Sequence, residues 1–244
     1  HLRTRRQRQM CIRDRAGTHR VGIAFGEAVA ARNDAGIRVS DGLVNGTSMY
    51  AFDAEADSYL VADHNRHLYL VQADDPGLTR THLVTVDKTR RNVELNYDNV
   101  AAQTISTDPE VFAAALDVGR LALAADTLGA AQNMLDQAVE YAKQREQFNR
   151  PIASFQAVKH MCAEMAAQLE PCRSMVWFAG HALAELPDEA RVTACHAKAH
   201  LAEVGQFIAK TATEVHGGMG FTDLVGLHYW LSLIHISEPT RQDR

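Results

Sequence analysis

Leu121, Leu128, Leu135 and Ala142 recur at every seventh position, with Ala125 and Val139 filling in between them. Seven residues are close to two helical turns, so this spacing lays a single apolar face along a helix of roughly thirty residues. Thr107-Asp108-Pro109-Glu110 supplies its start, with a capping side chain followed by proline in the first turn. Pro151 closes the turn after it, and Phe155–Leu186 predicts a second helix. Pro187-Asp188 punctuates, and Glu189–Val215 predicts a third. Long antiparallel helices with short connections make an up-and-down bundle. Met175, Trp177, Phe178 and Phe207 fall at helical spacing in apolar surroundings and are expected in its core.

Upstream the period changes. Val39–Val44 leads into a polar turn at Asn45-Gly46-Thr47, and Tyr59–Ala62 and Leu68–Val71 read as a hairpin joined by His64-Asn65-Arg66. Asp74-Asp75-Pro76-Gly77 is a strong turn. Leu83–Val86, alternating into Asp87, and Val93-Glu94-Leu95 supply further strands. The expected fold class is therefore α+β: a partial antiparallel β-barrel or sandwich followed by an antiparallel up-and-down helical bundle. The β part is expected over residues 16–108 and the bundle over 109–231. Residues 1–15 and 232–244 stand apart. The strings QRQMCIRDR, within residues 1–15, and SLIHISEPTR, which opens residues 232–244, resemble translated sequencing adapters. They are set aside as one would a scar, with the expectation of a chain truncated at both ends.

Composition narrows the function classes. A formal charge of −5 argues against a nucleic-acid binder, and no run of about eighteen apolar residues predicts a membrane span. Cys11, Cys162, Cys172 and Cys195 show no CxxC spacing and suit reduced thiols of a cytoplasmic protein. His196 and His200 stand four apart on a helix, but without a third ligand they predict no metal site.

Three constellations carry possible chemistry. Arg145 is either a solvated charge complementing a helix C-terminus or a bidentate clamp on a pyrophosphate. Gly217-Gly218, with Gly220 beside them, are either a helix C-cap or a place where bare backbone approaches a ligand. Asp117-Val118-Gly119-Arg120 is either a helical ion pair at i,i+3 or a binding pair for substrate.

Taken in order, D-x-x-R at Asp117–Arg120, R-x-Q-F at Arg145–Phe148, F-Q at Phe155-Gln156 and His216-Gly217-Gly218-Met219-Gly220-Phe221-Thr222 resemble the acyl-CoA dehydrogenase family. The β part resembles the second half of that family's central β-domain, departing at Ser48, where a lysine is usual. The resemblance implies non-covalent FAD, with Arg145 on its pyrophosphate, often across a subunit boundary. It implies further FAD contacts from Gln147, Phe148, Gln156 and the segment Glu214, Val215, His216, Gly217 and Gly218. Glu214 replaces the usual glutamine, and a carboxylate cannot donate as an amide can. Asp117 and Arg120 would bind the acyl-CoA substrate.

The reaction implied is α,β-dehydrogenation of an acyl-CoA thioester, as in fatty acid metabolism. The implied partners are an electron-transfer flavoprotein-like acceptor and a homo- or hetero-oligomeric assembly. No catalytic base is assigned. In most of the family the glutamate lies about two dozen residues past the double glycine, here in the adapter-like stretch; some relatives place it where Gly119 stands. The chain by itself is therefore expected to be inactive. The alternatives are a non-catalytic subunit of a heteromeric dehydrogenase, an acyl-CoA oxidase or a flavin monooxygenase on the same scaffold.

Overall fold

The computed structural model describes residues 19–30, 36–85, 91–222 and 225–227. They divide into two compact units, one running to Ala113 and the other from Ala114.

The first unit contains β1 (Val21–Ala24), helix α1 (Gly26–Ala30), β2 (Gly36–Ser40), β3 (Leu43–Phe52), β4 (Ser58–Ala62), β5 (Leu68–Gln72), β6 (Leu78–His82) and β7 (Asn92–Ser106). The strands form one sheet in the order β1-β4-β5-β7-β3-β2, with β6 also paired to β7. β7 holds it together. Its first half runs between β3 and β6, and its second half pairs with β5. Asn99, at φ 51°, lies between the two halves. Every pairing is antiparallel except β1 with β4. Val93, Leu95 and Tyr97 alternate inward along β7 and pack with Val44, Ala51, Tyr59, Val61 and Val71.

Two of the three expected turns form, each tied by an aspartate. Asp63 accepts the N–H groups of Asn65 and His67, both at 2.9 Å, between β4 and β5. Asp75 accepts the Gly77 N–H at 2.9 Å before β6. Asn45-Gly46-Thr47, however, is not a turn but part of β3. The chain reverses earlier, at Asp41-Gly42, where both residues have positive φ (51° and 79°), the geometry a tight right-twisted hairpin requires. Gly46 instead sits at a break in the β3–β7 register with φ 125°, where a Cβ would meet the Gly36 carbonyl. The strand expected at Leu83–Val86 is also displaced. β6 ends at His82, Leu83–Thr85 are not strand, and Val86 and Asp87 lie outside the described residues.

The second unit is helical. α2 (Pro109–Gln144) leads through the short strands β8 (Glu146–Gln147) and β9 (Arg150–Pro151) and a 3-10 turn (Ile152–Ser154) to α3 (Gln156–Glu185). Only Leu186 separates α3 from α4 (Pro187–His216), and a second 3-10 turn (Gly217–Phe221) follows. Met134, Leu135, Met165, Leu169, Leu201 and Ile208 fill the core, interleaved with Ala131, Ala138, Ala179, Ala197 and Ala212. Alanine at these positions lets helix axes approach closely, so shape fit supplies what side-chain bulk does not. Ala125 is exposed, and the buried seam passes through Ala124, with Leu121 and Leu128 packed at its edge. A straight helix drifts against a strict seven-residue repeat, which moves the seam by one position over its length.

Trp177 and Phe178 are not core. They are 75% and 47% exposed, because Val176 and Ala179 occupy the buried face of α3 and these two residues fall beside it. Met175 and Phe207 are partly buried against the core. No described helix is long and apolar enough to cross a membrane.

Candidate functional site

α2 ends with the Arg145 N–H donating to the Tyr141 carbonyl at 2.8 Å. β8 and β9 then form a hairpin whose two-residue tip is Phe148-Asn149, at φ 53° and 59°. Asparagine tolerates the left-handed region; a phenylalanine there is strained. The Phe148 ring is nonetheless 86% exposed, with one aromatic neighbour, Phe155, edge-on at 6.1 Å. Arg150 lies over the Phe155 ring, 4.1 Å from its centroid. The Ile152 N–H donates to the Arg145 carbonyl at 2.8 Å and ties the hairpin exit to the helix end. Gln147 and Gln156 are exposed at either side of this hairpin. The Arg145 guanidinium is exposed too, and among the described residues it makes no ion pair or hydrogen bond.

The end of α4 meets the end of α2. His216 is buried and stacks on Tyr141, with ring centroids 4.4 Å apart and planes inclined by 26°. Its Nδ1–H donates to the Ala212 carbonyl at 2.7 Å, which fixes the ring orientation. Val215 is buried in the bundle core, so only its backbone can reach a ligand, while Glu214 is exposed. Gly217 caps the helix at φ 58°, ψ −138°, a conformation few residues with a Cβ adopt. Gly220 is required by packing, since a Cβ there would lie 2.8 Å from the Thr213 carbonyl oxygen. Neither reason applies to Gly218, where a Cβ would meet nothing within 4 Å. Among the described residues, nothing thus accounts for Gly218.

Asp117 and Arg120 lie elsewhere. Asp117 is only 3% exposed, and its Oδ1 accepts from Arg120 Nη1 at 2.5 Å. Its Oδ2 accepts from Arg191 Nε at 3.1 Å, a partner 74 residues away on α4 that no local motif announced. Arg145, just past the end of α2 at Gln144, lies 25 positions after Arg120, about 37 Å at the helical rise. The cofactor-type residues and the substrate-type pair are therefore at opposite ends of α2. Gly119 leaves the position before Arg120 without a side chain. His196 and His200 gain no third ligand, and no described group of three His, Cys, Asp or Glu residues could hold a metal ion. A cleft of about 670 Å³ in the first unit, lined in part by His19, Asp57 and His82, contains none of these residues.

Known proteins resemble this chain along most of its length. A caffeyl-CoA reductase–Etf complex subunit of Acetobacterium woodii is 42% identical over 106 residues, which are 43% of this chain and 28% of that protein. The short-chain specific acyl-CoA dehydrogenase of Megasphaera elsdenii is 29% identical over 216 residues, 81% of this chain and 55% of that protein. The solved structure of butyryl-CoA dehydrogenase from Megasphaera elsdenii shares the fold, with a TM-score of 0.79 and 23% identity over 91% of this chain and 64% of that one. The chain thus spans about half, or less, of the length of these two sequence relatives. The acyl-CoA dehydrogenases are FAD-dependent flavoproteins. The family model for the acyl-CoA dehydrogenase C-terminal domain matches residues 110–236, more than half of the sequence, and the chain belongs to that family.

Proposed function

We propose that this chain is part of an FAD-dependent acyl-CoA dehydrogenase, an enzyme that removes hydrogen across the α,β bond of an acyl-CoA thioester. The observation that carries the reading is a pair of features that find no partner among the described residues, the Arg145 guanidinium and the bare backbone at Gly218.

That donor set fits FAD. Arg145 offers a fixed positive fork to a pyrophosphate, and Gly217-Gly218 allow main chain to come close to it. Phe148 supplies an exposed apolar ring, and Gln147 and Gln156 supply amides that can donate and accept. His216, buried and oriented by Ala212 and Tyr141, holds the glycine segment in place. FAD, when bound, supplies the acceptor for the hydride that leaves the β-carbon. At the other end of α2, Asp117 and Arg120 hold the substrate, with the buried carboxylate fixing the guanidinium. A base must take the α-proton, and no residue of this chain is assigned that role.

Gly119 favours one alternative, a non-catalytic subunit of a heteromeric dehydrogenase, because this position carries the glutamate in some relatives. An electron-transfer flavoprotein-like acceptor, an oligomeric assembly, a place in fatty acid metabolism and a cytoplasmic location complete the proposal. The Etf complex named for the Acetobacterium woodii relative supports the acceptor.

The test is Arg145→Ala in the full-length protein. The Arg145 side chain pairs with none of the described residues, so thermal stability should be unchanged while FAD affinity falls about 10- to 100-fold, the range for a charge-assisted hydrogen bond. A variant that retains stoichiometric FAD through gel filtration would refute the assignment.

A further inference from the structure

We propose that Tyr141 is a positioning residue for the cofactor, whose ring, stacked on His216, holds the Gly217-Gly218 backbone at a fixed place relative to Arg145. The inference rests on the reading of Arg145 and the glycine segment as an FAD site and adds to it a residue that the motifs do not include.

The two halves of that site come from different helices and have little of their own to hold them together. Arg145 follows the end of α2, and Gly217-Gly218 follow the end of α4. Helix ends are where regular hydrogen bonding runs out, and the two glycines carry no side chain that could pack. The core beneath is lined by Ala142 of α2 and Val215 of α4. These compact side chains set how close the helices come but favour no one orientation. A ring stack is directional. Tyr141 supplies one, with its centroid 4.4 Å from that of His216 and the planes inclined by 26°.

Both rings are tied directly to the residues they place. The Tyr141 carbonyl accepts the Arg145 N–H at 2.8 Å, so the ring and the arginine belong to one helical turn. His216 is 4% exposed, and its Nδ1–H donates to the Ala212 carbonyl at 2.7 Å, which leaves the imidazole one orientation. Gly217 is the next residue, and its N–H donates to the Glu214 carbonyl. A continuous set of contacts therefore runs from Arg145 through Tyr141 and His216 to the glycines. A pyrophosphate held by a guanidinium on one side and main chain on the other needs that separation fixed, because hydrogen bonds weaken steeply away from their best geometry.

FAD dissociation constants of the full-length holoprotein, from flavin fluorescence on dilution, test this beside thermal melts. Tyr141→Leu keeps apolar bulk without a ring plane and should weaken FAD about three- to tenfold, the range for an aromatic pair. Tyr141→Phe keeps the stack and should retain the parental affinity. Tyr141→Met replaces the leucine variant if that one does not fold, since its side chain adapts to irregular gaps. Combination with Arg145→Ala separates positioning from space filling. With the guanidinium gone there is less to position, so the loss caused by Tyr141→Leu should shrink in the double variant. A ring that merely fills space would lower the melting temperature and leave FAD affinity unmoved.

Unchanged FAD affinity in Tyr141→Leu and Tyr141→Met would overturn the proposal. So would an equal loss in Tyr141→Phe, or losses that add fully with Arg145→Ala. Arg145→Ala alone distinguishes this failure from that of the site. If it weakens FAD while the Tyr141 variants do not, the positioning role alone fails. If FAD binding is indifferent to Arg145, the reading of the site fails and the positioning role with it.

Discussion

Gly217, Gly218 and Gly220 show how a residue's role is read from what the fold demands of it. Gly217 is required by its dihedral angles and Gly220 by the Thr213 carbonyl beside it, whereas nothing among the described residues requires Gly218. Gly218→Ala should therefore leave stability within about 1 kcal/mol of the parent, since the added methyl meets open space and the unfolded chain loses some freedom. It should nevertheless lower FAD affinity if main chain approaches the cofactor there. Thermal melts beside flavin titration check this, and a variant with intact FAD binding would return Gly218 to the status of a spare capping residue. Tyr97 offers a test of the other unit. Burial foremost, and the nearby Glu27 charge, push its phenol well above the usual tyrosine range, against a weaker opposing effect of its hydrogen bond to Ser48. A raised folded-state pKa contributes stability that is complete below the unfolded value near 10 and is lost as pH rises beyond it. Urea midpoints of the full-length protein should fall above about pH 10, and Tyr97→Phe should make that fall shallower. An identical alkaline slope in the variant would contradict the account.

At the scale of elements, the β8–β9 hairpin carries the clearest conflict between stability and use. Phe148 occupies a left-handed position that suits glycine, and its ring is left in solvent. Such strain costs about 1–3 kcal/mol. Phe148→Gly should raise the melting temperature while weakening FAD binding; a variant that loses both would show that the ring's contact with Phe155 matters more than the backbone strain. The three helices were legible because proline and aspartate punctuate long periodic runs, and the turns at Asp63 and Asp75 because aspartate and glycine act locally. The misreadings share one cause, that residue type does not fix geometry. Asn-Gly marks positive φ equally well for a turn and for a bulge, and Asn45-Gly46 is the latter, with Asp41-Gly42 making the turn. Trp177 and Phe178 advertise apolar character but not the face of α3 on which they fall. Arg191 could not be found from spacing at all, because only the packing of α4 against α2 places it on Asp117.

At the scale of the whole molecule, the residues proposed for the cofactor and those proposed for the substrate lie about 37 Å apart along α2. On the proposed reading, Arg145 would reach a cofactor across a subunit boundary, while Asp117 and Arg120 would serve the chain's own substrate. If so, assembly and FAD binding should go together. The most direct measurement is sedimentation velocity of the full-length protein with added FAD, followed at the flavin absorption band. The account predicts that flavin travels with the protein as a dimer or tetramer, at one FAD per active site. A protein boundary that carries no flavin, or a monomer fully loaded with it, would contradict it.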